Sequence, residues 1–139
     1  LADTKEVSMG FRPLPALPID KGATAINSPG DKGDSLGGKP AKWVDYRSEI
    51  DGKPAGIAIF DHPSNPRHPT TWHARNYGLI AANPFGLSQF AKAAKGTGNL
   101  TIKAGGNLTF RYAFLFHRGS QEPKPVSAFY QEWTGSPDR

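Results

Sequence analysis

Residues 61–78 read Asp-His-Pro-Ser-Asn-Pro-Arg-His-Pro-Thr-Thr-Trp-His-Ala-Arg-Asn-Tyr-Gly, and they concentrate the chemistry of this chain. His62, His68 and His73 are three of its four histidines, and Asp61, Asn65, Arg67, Trp72, Arg75 and Tyr77 stand among them. Imidazole changes charge near neutral pH and can hold a metal. Guanidinium groups grip carboxylates through paired N–H donors. Aromatic planes together with Asp, Asn, Arg and His match the faces and hydroxyls of a polyhydroxylated ligand.

The elements around this stretch must position it. Pro63, Pro66 and Pro69 stiffen its first half into a loop that is neither helix nor ladder-forming strand. Before it, Trp43–Ile50 and Lys53–Phe60 read as two strands of a hairpin, turned at Asp51-Gly52. After it, Trp72–Ala82 reads as one further strand, ended by Asn83-Pro84. Alternation along that strand sets His73, Arg75 and Tyr77 on one face. The loop could then fold His62 and Arg67 over the same face, giving one concave surface. A second hairpin is expected from Asn99–Lys103 and Leu108–His117, turned at 104–107. Phe110, Tyr112, Phe114 and Phe116 form a period-two core stripe on its long strand, and the opposite face is apolar enough to be covered as well. Val126, Phe129, Tyr130 and Trp133 recur at helical spacing, and Ser88–Lys95 suggests another short helix.

With 139 residues, 16 glycines and 13 prolines, the chain is one turn-rich domain. Strands that follow one another through hairpins, without βαβ spacing, predict an all-β antiparallel sandwich with a short C-terminal helix. Residues 1–42 are Pro/Gly-rich: Phe11–Pro18 favours extended backbone, and 28–38 reads as a glycine-rich loop that packs on a partner or lines a site. The net charge is +5, but Lys and Arg are scattered, and no basic helix or nucleic-acid motif accompanies them. The concentration at Arg67, His68, His73 and Arg75 suits an anionic or polyhydroxylated ligand better than nucleic acid. Absence of cysteine excludes a disulfide scaffold and a thiolate metal site. No apolar run is long enough for a membrane helix. Because it begins Leu-Ala-Asp, the chain is read as a processed product or a piece of something longer.

Several segments recur in an order and spacing that identify a family. They are Asp3-Thr-Lys-Glu6, Trp43-Val-Asp-Tyr46, Asp51-Gly-Lys-Pro54, Gly56 to Thr70, Trp72-His73, Tyr77-Gly78, Ala81-Ala-Asn-Pro-Phe-Gly86 and Arg111-Tyr112. On these the chain resembles, over residues 3 to about 133, the C-terminal half of a bacterial family of unknown function labelled PmoA. It departs from the family pattern at Val7-Ser-Met9 with the Pro-rich run, and before Trp43. The resemblance implies a galactose-mutarotase-like sandwich and a periplasmic or secreted protein, with an absent N-terminal half, or a partner chain, covering one sheet. The label's link to methane monooxygenase carries no weight, since those membrane subunits are transmembrane helices and this chain has none.

Mutarotase-like folds pair a histidine acid with a carboxylate base. The resemblance therefore implies His62 or His73 as acid and Asp61 as the carboxylate, although Asp61 suits a cap for loop N–H groups equally. Asn65, Arg67, Trp72, Arg75 and Tyr77 are then the substrate contacts, for a sugar or sugar acid, in an epimerase, lyase, hydrolase or simple binding protein. No cofactor is expected. Two other readings stand beside this one. His62, His68 and His73 with Asp61 are enough ligands for a metal ion, although spacings of six and five residues match no compact motif. Alternatively, the polar groups only brace the loop of a structural or interaction module.

Overall fold

A computed structural model of the chain describes residues 1–5, 9–12, 23–75, 77–118 and 124–135. Its centre is the 43–61 hairpin. Strands β3 (Trp43–Ile50) and β4 (Lys53–Asp61) pair in unbroken antiparallel register, from Trp43 opposite Phe60 to Ile50 opposite Lys53. Asp51 (φ 52°) and Gly52 (φ 70°) turn the chain. Positive φ at both central residues matches the turn to the twist of the strands. Two outer strands complete this sheet: β2 (Thr24–Asn27) on β3 and β7 (Tyr112–Arg118) on β4, giving the order β2-β3-β4-β7. A smaller antiparallel sheet has the order β1-β6-β5, from β1 (Met9–Phe11), β5 (Trp72–Ala74) and β6 (Ile80–Ala82). The architecture is the expected all-β sandwich.

Alternation gives the large sheet two apolar faces. Val44, Tyr46, Ile57 and Ile59 point one way and pack with Trp72, Ala74, Ile80 and Ala82 of the small sheet. Trp43, Ala58 and Phe60 point the other way, onto Val126 and Tyr130 of the C-terminal helix α2 (Lys124–Gly135). Trp72 is fully buried in the inter-sheet core, and its indole N–H donates to the Ala41 carbonyl (2.8 Å). Leu36, on a 3-10 turn at Gly33–Leu36, joins the same core, so the glycine-rich 28–38 segment is anchored at its far end. At its near end the Asn27 side chain holds both the backbone N–H and the carboxylate of Asp31. The expected Pro-rich run falls mostly at 13–18, outside the described residues.

Four expectations are corrected. Trp72–Ala82 is a tight hairpin rather than one strand. Arg75 N–H donates to the Leu79 carbonyl, and Gly78 (φ 92°) turns the chain between β5 and β6. Asn99–Lys103 is not a strand, because its backbone is claimed elsewhere: the Arg67 guanidinium takes the carbonyls of Gly98 and Asn99, while Leu100 pairs with Leu1. The expected aromatic stripe, whose Phe110 precedes β7, is covered only in part and only at its start. Phe110 and Tyr112 are half-buried, whereas Phe114 is 42% and Phe116 69% exposed. From the small sheet Phe11 reaches the exposed pair, its ring centroid 6.0 Å from Phe114 and 6.3 Å from Phe116. The helix expected at 88–95 is a single turn, α1 (Leu87–Phe90), followed by Lys92 at φ 53°.

Candidate functional site

The 61–71 loop is organised by Asp61. This carboxylate is 0% exposed and accepts three hydrogen bonds. Asn65 Nδ2 donates to Oδ1 (2.7 Å), while His68 Nδ1 (2.8 Å) and the Thr70 backbone N–H (2.9 Å) donate to Oδ2. Asn65 carries the brace onward to the segment before β7. Its amide clamps the Arg111 backbone, accepting from the N–H and donating to the carbonyl, both at 2.6 Å. A loop too short of apolar residues to be held by packing is held by one carboxylate and one amide.

The other expected site residues have partners of their own. His62 Nδ1 accepts the Ser64 N–H (3.1 Å), and its ring stands edge-on to Trp133 at 4.9 Å. Arg67, at φ 63°, turns outward over the Phe85 ring and donates to the carbonyls of Pro84, Gly98 and Asn99. Trp72 is core. His73 is buried on the outer face of the small sheet, with Nδ1 3.2 Å from the Lys5 carbonyl and its ring 5.3 Å from Phe90. Arg75 and Tyr77 lie exposed in the β5–β6 turn, Tyr77 beneath the Arg12 guanidinium at 5.4 Å. Because 75 and 77 belong to a turn, the shared strand face for residues 73, 75 and 77 does not exist. His62, Arg67, His73, Arg75 and Tyr77 are distributed among separate neighbourhoods. Among the described residues no three His, Asp or Glu side chains gather in metal-binding geometry.

A different cluster lies on the helix-side face of the large sheet. Asp45 on β3 is fully buried. Its Oδ1 accepts from His117 Nε2 on β7 (2.9 Å), and its Oδ2 accepts from Arg47 Nε (2.5 Å). The imidazole reaches across the intervening strand β4 because the residue beneath it is Gly56, directly opposite His117 in the register. A Cβ at Gly56 would sit 2.3 Å from His117 Cε1 and 2.9 Å from the Tyr46 carbonyl oxygen. The carboxylate fixes the tautomer, with the proton on Nε2 and the lone pair on Nδ1. Among the described residues Nδ1 has no hydrogen-bond partner, and the side chain is 16% exposed. A carboxylate-oriented imidazole with one nitrogen unengaged is a competent proton acceptor, and the neighbouring guanidinium adds a positive field.

Sequence reasoning missed this cluster although its signals were legible. Alternation puts Asp45 and Arg47 on one face of β3, and a glycine inside a strand marks close approach of another group. The pairing of β7 with β4, which brings His117 over Gly56, is not encoded locally.

The fold and its clusters define an antiparallel β-sandwich protein with a buried carboxylate–imidazole pair on its larger sheet. The chain belongs to DUF6807, a family of unknown function, whose model matches residues 1–131. Neither the search of curated proteins nor that of solved structures gives a significant match.

Proposed function

We propose that this chain binds a sugar or sugar acid, and that His117, oriented by Asp45, is the group that exchanges a proton with it. The observation that carries the reading is the Asp45–His117 pair over Gly56, with Nδ1 unengaged. A histidine–carboxylate pair on a sheet face is what a mutarotase-like sandwich would use, and the net charge of +5 favours an anionic sugar. His117 and Asp45 replace His62, His73 and Asp61 as the candidate proton-transfer groups. Arg75 and Tyr77 stay as exposed candidates for ligand contact at a separate surface. A covering partner, the N-terminal half of the same parent protein or another chain, is part of the proposal. The exposed Phe114 and Phe116 on edge strand β7 are the surface such a partner would bury. Export to the periplasm or cell exterior belongs to the same reading.

The test is an NMR titration of the histidine ring signals with galactose, glucose, galacturonate and glucuronate. The His117 signals should shift with at least one of them, and His117→Gln should remain folded while losing the response. Unmoved His117 signals with all four would refute the reading. The alternative of a non-catalytic interaction module is favoured by one specific observation, the commitment of Asp61, Asn65, Arg67 and His68 to internal bonds.

A further inference from the structure

A groove of about 410 Å³ runs between α2 and the start of β3. That lies within the roughly 300–1,000 Å³ of ordinary small-molecule sites. Pro29, Pro40 and Pro69 wall it, together with Trp43 and Tyr130, and Lys42 stands at its rim. Tyr130 is the anomaly. It is 7% exposed, and its hydroxyl is buried with no hydrogen-bond partner among the described residues. Its ring is fixed by edge contacts with Phe60 (5.9 Å) and Trp133 (6.4 Å). Buried hydroxyls are nearly always satisfied, because desolvating one without a partner is costly. An acceptor entering the adjacent groove would complete a phenol held in that state.

The rest of the lining narrows the acceptor's chemistry. Proline rings and aromatic edges offer apolar walls to a ring-shaped occupant. The Ser28 hydroxyl is already engaged by the Lys42 backbone N–H (2.9 Å). Lys42 itself is exposed, and its ammonium forms no ion pair among the described residues. An occupant that satisfies both ends carries an oxygen acceptor for Tyr130 and a negative charge for Lys42, on a ring with at least one apolar face.

We propose that this groove binds a small ring-bearing carboxylate. The site does not involve His117, so the inference stands apart from the sugar reading. Two sources share this chemistry, an aromatic acid and a sugar acid, and sodium benzoate and sodium galacturonate represent them. The experiment is a calorimetric and NMR titration of the full chain with each probe, repeated with Tyr130→Phe and Lys42→Gln. At least one probe should bind and shift the resonances of Tyr130 and Gln131. Tyr130→Phe should weaken that binding by about tenfold, the worth of one hydrogen bond, without lowering the melting temperature. Lys42→Gln should remove the preference for benzoate over benzamide, or for galacturonate over galactose. Binding of benzoate alone identifies an aromatic-acid site, of galacturonate alone a sugar-acid site, and of both the shared chemistry. No binding of either probe, or unchanged affinity in both variants, overturns the proposal.

Discussion

Replacing Asp61 separates a brace from a catalytic carboxylate. Asp61→Asn preserves shape and removes one acceptor oxygen, and the three donors around it decide the outcome. Thr70 N–H and His68 Nδ1 converge on Oδ2, and Asn65 Nδ2 on Oδ1. The new amide must turn its NH2 group either toward Asn65 Nδ2 or toward the Thr70 N–H and His68 Nδ1 together. Asn65 cannot relieve the clash by flipping, because its own amide is locked in orientation by the Arg111 N–H and carbonyl. His68 gives way most readily, since its side chain is 15% exposed and can turn to water. The Thr70 N–H has no such escape. Leaving it facing a donor costs about 1–3 kcal/mol, and weakening the charge-assisted bonds raises the total to about 3 kcal/mol. Asp61→Ala should cost about 3–5 kcal/mol, since it also leaves a cavity. His68→Ala should cost only about 1 kcal/mol. Urea unfolding followed by circular dichroism measures all three, and a loss of about 3 kcal/mol is a large fraction of the total for a domain of this kind. If Asp61→Asn unfolds within about 1 kcal/mol of the wild type, the brace reasoning is wrong.

Other outcomes follow from the same geometry. Gly56→Ala should drive the His117 ring off Asp45 and destabilise the fold by about 1–3 kcal/mol; His117 ring signals unchanged from wild type would refute the overlap inferred from the 2.3 Å approach. Arg75→Ala should leave the melting temperature nearly unchanged, because the side chain is exposed and the Arg75 carbonyl that Tyr46 uses survives the substitution. Burial pushes Tyr46, Tyr112 and Tyr130 above the ordinary phenol value of 10.0, Tyr130 to about 12. The unfolded chain therefore releases these protons at lower pH than the folded one, so stability is intact below the unfolded value and lost as pH rises through and beyond it. Equal urea midpoints at about pH 9 and about pH 11 would contradict that burial.

Much of the architecture was legible locally. The 43–61 hairpin could be read because Asp51-Gly52 is a two-residue hairpin turn and the segments on either side, 43–50 and 53–60, carry strand-forming residues in loose alternation. The C-terminal helix was legible because Val126, Tyr130 and Trp133 repeat at helical spacing. Of the two readings given to Asp61, capping of a loop N–H is the one that its bond from Thr70 matches. What the sequence could not supply was partnership at a distance. Trp72–Ala82 looks like one strand until the Arg75–Gly78 turn is seen. Asn99–Lys103 looks like a strand until the Arg67 guanidinium and Leu1 take its backbone groups. A one-dimensional pattern specifies which face a side chain occupies, but not which strand lies beside it, because hydrogen bonding between strands is satisfied equally by any edge of matching length. Only the docking of β7 on β4 puts His117 over Gly56 and within reach of Asp45. Only the seating of α2 on the large sheet buries the Tyr130 hydroxyl beside an open groove.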